Sequence, residues 1–183
     1  MKQTLNYLIF IIIILTSCKS QKEVKVNTKG NNKYRKSIKS FRGTLTRDEY
    51  ANFIFNLELE LKTKLPEDKS VLINYSQRGD NCILLSVDKE SFITINQNVI
   101  RISNRISDEY HAVDFFVYSE NSFFKDFYSR DKKYQLDSGF FYNVVFTLHE
   151  NCQGFFILKP NGDFLKHYGR DYFTIVKNFL SEK

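Results

Sequence analysis

The chain has no tryptophan and only two prolines, seven glycines and three cysteines among its 183 residues. With tryptophan absent and phenylalanine unusually frequent, the core should be built largely from phenylalanine, isoleucine and leucine, each contributing roughly 1.5 to 3 kcal/mol when fully buried. Between Phe41 and Lys183 there is no Pro-rich or Gly-rich break and no internal repeat, so that stretch reads as one domain. No Gly-rich phosphate loop and no nucleophile elbow occur, and no cofactor is expected. The acids are scattered without a paired motif, which leaves glycosidase-type chemistry no foothold. His149 and Cys152 are three apart, but His111 and His167 are isolated, so no metal site with a full ligand set is expected. Long apolar runs are also lacking: Leu8 to Leu15 is eight residues, against the roughly 20 that a membrane-spanning helix needs.

That short run is nevertheless informative. One positive charge, Lys2, precedes it, and Thr16, Ser17 and Cys18 follow, which is the anatomy of a secretory signal. The segment Leu15-Thr16-Ser17-Cys18 resembles the lipobox of bacterial lipoproteins. The resemblance covers the first 18 residues and implies that residues 1–17 are a signal peptide, removed on export, and that the Cys18 thiol is acylated, for instance with palmitate. Several acyl chains, each gaining about 0.8 kcal/mol per buried CH₂, make a stable membrane anchor. Lys19 stands where inner-membrane lipoproteins of this kind carry Asp, so an outer-membrane position facing the periplasm is expected. An ordinary signal peptide and a buried core segment are the other readings of the run.

The formal net charge of +6 invites a nucleic-acid reading until the charges are located. From Lys19 to Ser40 there are eight Lys or Arg against one acid, Glu23, whereas from Phe41 to Lys183 the count is 18 basic against 20 acidic. The excess therefore belongs to residues 18–40. Rich in Asn, Ser, Gln and Gly and without apolar periodicity, that stretch reads as a disordered tether. Beside an anionic leaflet it would gain about 1 kcal/mol per charge; a merely solvated spacer fits the same composition. Nucleic acid is not an expected partner of an exported chain.

Within 41–183, Thr46-Arg47-Asp48-Glu49 has the form of a capping box, and Tyr50, Phe53, Ile54, Leu57 and Leu61 recur at helical spacing until Pro66. Val71 to Tyr75 reads as a buried strand and Ser76 to Asn81 as a polar loop. Cys82 to Val87 could return as a strand, but Phe92, Ile95, Val99, Ile102 and Ile106 require a helix from about Asp88 to Ser107. Val113 to Tyr118 is a further strand, and Asn121 is placed to cap a short helix carrying Phe123, Phe124 and Phe127. Phe140 to His149 fits strand or helix. Pro160-Asn161-Gly162 separates Phe155–Lys159 from Asp163–His167 as a hairpin, and Tyr172, Phe173, Val176, Phe179 and Leu180 mark a last helix.

This order of helix, strand, helix, strand, helix, hairpin and helix resembles the thioredoxin fold. The likeness is carried by Val71 to Cys82, a strand entering a cysteine-bearing loop, and by the Phe155 to Tyr168 hairpin, similar to that of TlpA-like and peroxiredoxin-like branches. It implies an α/β domain with a mixed central sheet flanked by helices, plus an extra N-terminal helix. Family-type dithiol chemistry needs two thiols three apart, yet Gly79 and Leu85 stand where a partner of Cys82 would lie. The family's cis-proline before the hairpin is also missing, Asn151-Cys152-Gln153-Gly154 occupying its place.

The resemblance further implies that the Cys82 and Cys152 loops lie side by side at the end of the central strand. With Cys18 acylated, two thiols remain in an oxidising compartment, and an even pair there favours a disulfide. Two unrelated buried cysteines are the rival reading, and a reactive redox pair the third. Arg78-Gly79-Asp80 reads as a polar turn rather than an adhesion motif. Two functions follow: a membrane-anchored binding or structural module of the cell envelope, with an unidentified protein or small-molecule partner, or a thiol-disulfide or peroxide-handling enzyme with Cys82 as nucleophile and Cys152 as resolving thiol.

Overall fold

The computed structural model describes residues 28–170 and 173–182. Cys18, the Leu8 to Leu15 run and Tyr172 lie outside the described residues. Helix α1 (Thr28–Ser37) leads into strand β1 (Lys39–Thr44), then α2 (Arg47–Leu61) and β2 (Ser70–Ser76). A 3-10 turn (Ile83–Ser86) precedes α3 (Lys89–Glu109), β3 (Ala112–Tyr118), α4 (Lys125–Tyr128) and β4 (Tyr134–Leu136). A π-helical turn (Phe141–Val145), the hairpin β5 (Gln153–Leu158) and β6 (Asp163–Tyr168), and α5 (Phe173–Ser181) complete the chain.

The strands form one mixed sheet in the order β1-β6-β5-β2-β3-β4. β2, β3 and β4 run parallel, while β5 is antiparallel to β2, β6 to β5, and β1 to β6. Strand alternation divides the core. Val71, Ile73, Tyr75, Phe156 and Leu158 face one side, where α2 brings Leu57 and Leu61 and the π-helical turn brings Phe141 and Val145. Leu72, Phe155, Ile157 and Leu165 face the other side, under Ile106 of α3 and Val176 and Phe179 of α5. The result is helix, sheet, helix in three layers, with β2 buried along its whole length.

Local chemistry explains the elements. The Thr46 side chain accepts from the Glu49 N–H and Glu49 returns to the Thr46 N–H, a complete capping box. The helix stops before Pro66, because Lys62 turns left-handed (φ 52°) and its N–H bonds the Glu58 carbonyl. In the hairpin, Gly162 at φ 90° closes the turn by donating to the Lys159 carbonyl at 3.0 Å.

Three expectations need correction. Residues 18–40 are not uniformly a disordered tether: α1 lies in that stretch and β1 begins at Lys39. The Asn151 amide donates to the Ser37 carbonyl (2.6 Å) and the Arg170 N–H to the Tyr34 hydroxyl (2.9 Å), polar docking that apolar periodicity does not reveal. Cys82 to Val87 is no strand but the 3-10 turn, with Asp88 capping α3. Asn121 does not cap α4, which starts at Lys125; its side-chain oxygen instead accepts from the Ser119 hydroxyl at 2.6 Å.

Candidate functional site

The carboxyl end of β2 is where the chain's two described cysteines meet. Beyond Ser76, the loop 77–82 is laced to the loop 148–152 that leads into β5. The Gln77 N–H donates to the Cys152 carbonyl (3.0 Å), its side-chain amide to the Leu148 and Asn151 carbonyls (2.9 Å each), and the Asn81 N–H to the Glu150 carbonyl (2.8 Å). Gly79 is required by this closeness: a Cβ there would lie 2.3 Å from the Asn151 carbonyl carbon. Cys82 and Cys152 are joined, their sulfurs 2.07 Å apart, and both are almost fully buried, at 9% and 6% exposure.

The disulfide forms part of an aromatic cluster with Leu84, Phe92, Tyr118 and Tyr128. Phe92, in the first turn of α3, stacks on Phe124 (centroids 4.1 Å) and meets Phe127 edge-on (5.0 Å). Asp88 places that turn by accepting from the Ser91 N–H and hydroxyl, bonds that hold its carboxyl below the usual range. Tyr128 is wholly buried, and loss of solvent pushes its hydroxyl up to about 12, the nearby Ser76 and Gln153 side chains offsetting this only in part. Among the described residues, that hydroxyl and the side-chain oxygens of Gln77, Asn151 and Gln153 have no hydrogen-bond partner of good geometry.

Between α3 and α4, next to this cluster, opens a groove of about 630 Å³. Val87, Phe92, Ile93, Phe123, Phe124 and Phe127 line it, with Lys89 and Arg130 balanced by Asp126 and Asp131 at its rim. Its size and apolar lining are those of a ligand site, which typically measures about 300–1,000 Å³. Arg78 lies over the Phe123 ring at 4.9 Å, so the Arg78-Gly79-Asp80 turn is packed against the groove. Sequence reasoning places Phe92 on one helix and Phe123, Phe124 and Phe127 on another without bringing them together. The available signal was the density of phenylalanine following the Cys82 loop.

The histidines do not join the cysteines in a metal site. His149 stacks on Tyr142 (3.8 Å between centroids), His111 pairs with the exposed Asp68 (2.8 Å), and His167 sits 2.7 Å from the Ser40 hydroxyl. Among the described residues, no group of three His, Cys, Asp or Glu could hold a metal ion, and no helix is long and apolar enough to cross a membrane. A smaller crevice of about 260 Å³ by Ser119, Glu120 and Tyr142 includes Asp137, whose carboxylate is already engaged by four donors. No family model, curated protein or solved structure matches the chain, so the case for its function rests on the disulfide-tied corner and the groove beside it.

Proposed function

We propose that the chain is an envelope lipoprotein, anchored through acylated Cys18 and facing the periplasm at the outer membrane, whose folded part is a degenerate thioredoxin-like domain serving as a binding module. The strand order supports the fold reading. β2, α3 and β3 make a parallel βαβ unit, β5, β6 and α5 a ββα unit, and the two join through β2 and β5. β1 and β4 extend the sheet at its edges. The missing partner thiol three residues from Cys82 argues against family-type dithiol exchange.

The observation that carries the binding role is the phenylalanine-lined groove directly beside the bridged loops. Its uncharged floor and balanced rim suit an apolar or aromatic side chain of a partner polypeptide, stacked between Phe92, Ile93 and Phe127. Panning a random-peptide library against the full chain tests this. The expected result is an aromatic or aliphatic consensus whose binding is lost in Ile93→Asp with thermal unfolding unchanged; peptides that bind Ile93→Asp equally well defeat the reading. Attachment is tested separately, because Cys18→Ala should abolish palmitate labelling and release the chain from the membrane fraction.

Dithiol exchange is the second reading, favoured by the bond between Cys82 and Cys152 at the end of β2. The burial of both sulfurs opposes it, since an attacking thiolate needs access. Rapid alkylation of reduced Cys82 at mildly acidic pH would establish a depressed thiol pKa and the enzyme reading; inertness removes it.

A further inference from the structure

Helix α2 buries one face and leaves the opposite one bare. Leu57 and Leu61 are buried against the sheet, whereas Phe55 and Leu59, each two residues earlier and so about 200° around the helix, are both 61% exposed. A shallow crevice of about 330 Å³ follows this outer face past Phe55, Glu58, Leu59 and Lys62. The residues on either side of Phe55 indicate what covers it. At three, four and seven positions before Phe55 stand Asn52, Ala51 and Asp48; at the same distances after it stand Glu58, Leu59 and Lys62. Two of the three pairs are complementary: small Ala51 against large Leu59, and acidic Asp48 against basic Lys62.

We propose that the occupant is a second copy of this chain, the two α2 helices packing antiparallel about a two-fold axis at Phe55. In that register Asp48, in the first turn of α2, meets the partner's Lys62, which caps the helix end, Ala51 makes room for the partner's Leu59, and the two Phe55 rings meet at the axis. Glu58 stays with Lys64 (2.5 Å) and the Leu65 N–H (3.0 Å) of its own chain. The Asp48–Lys62 and Ala51–Leu59 contacts each occur twice and the Phe55 pair once, on the axis, as an isologous interface requires. Asp48 and Lys62 are exposed, and the ion pairs among the described residues engage neither of them. One helix face offers less than the roughly 800 Å² per partner of a standard interface, so a dissociation constant on the order of 10–100 μM is expected. This dimer depends neither on the groove nor on membrane attachment.

The test is sedimentation equilibrium of the full chain in density-matched detergent. The unaltered chain should show a monomer–dimer equilibrium. Asp48→Lys and Lys62→Asp each set like charges against one another at both symmetric contacts, and each alone should weaken the dimer about tenfold or more. An equal mixture of the two variants should dimerise again, because the mixed pair restores both opposite-charge contacts. Phe55→Ser should abolish the dimer with no rescue on mixing. An unaltered chain that stays monomeric at several hundred micromolar, or a mixture no better than its components, overturns the proposal. So does a monomeric chain whose binding to phosphatidylglycerol vesicles is lost in Phe55→Ser, which would assign the face to lipid.

Discussion

Two loops at the carboxyl end of the parallel strands are held in different ways. The loop after β2 is tied to the loop before β5 by the Cys82–Cys152 bond and by the close approach of Gly79. The loop after β4 is gathered around one buried carboxylate. Asp137 accepts from the Tyr75 hydroxyl (2.8 Å) and from the N–H groups of Gly139 (2.9 Å), Phe141 (3.0 Å) and Tyr142 (2.8 Å). Burial, and then the neighbouring Asp137 charge, push the Tyr75 hydroxyl up. A covalent tie acts largely by restricting the unfolded chain. A carboxylate ringed by donors acts only once the loop has formed, and removing it strands those donors.

Substitutions can separate the two mechanisms. Cys82→Ser with Cys152→Ser opens a link spanning 70 residues of sequence, for which the chain-entropy model gives a loss of about 4 kcal/mol. Urea unfolding measures it, and agreement between the double variant and the reduced parent would confirm that the bond is responsible. Asp137→Ala should cost about 3 kcal/mol, since a phenolic hydroxyl and three N–H groups lose their acceptor. Its effect should persist undiminished under reduction, showing that the two corners act independently.

A smaller effect is expected at the β1–β6 edge. Burial holds the His167 imidazole below its ordinary range. The unfolded chain takes up the proton near pH 6.5 and the folded chain only at lower pH. The His167 contribution to stability should therefore be level above about pH 6.5 and fall as pH drops below it, and His167→Asn should flatten that part of the fall in urea titrations run at successive pH values. Smallest of all, Tyr128→Phe removes a buried hydroxyl that lacks a well-formed hydrogen bond among the described residues. It should leave stability within about 1 kcal/mol of the parent, or raise it, whereas Tyr75→Phe, which takes a donor from Asp137, should lower it.

The same contrast explains which features were legible. The capping box at Thr46, the α3 stripe through Phe92 and Ile106 and the Pro160-Asn161-Gly162 turn all follow from contacts within a few residues. β4 was not foreseen, because three residues added to an edge leave no periodic signal. The strand-or-helix ambiguity of Phe140 to His149 is answered by one helical turn of π type at Phe141–Val145, whose N-terminal N–H groups are organised by Asp137 rather than by a propensity of the turn itself. The α1 helix was misread because its docking uses the Ser37 carbonyl and the Tyr34 hydroxyl, groups that composition does not distinguish from those of a solvated spacer.

By its residues alone, the chain determined α2, α3, α5, the strands β2 and β3 and the β5–β6 hairpin, that the excess positive charge lies before Phe41, and that Cys82 has no thiol three positions away. Each of these depends on neighbours along the backbone. Only the tertiary structure decided that Cys82 bonds Cys152, that Phe92 stacks on Phe124 to floor a groove, and that Asp137 takes the Tyr75 hydroxyl. Those contacts join residues far apart in sequence, and they exist because the central position of β2, parallel to β3 on one side and antiparallel to β5 on the other, brings the loops and α3 to one end of the sheet.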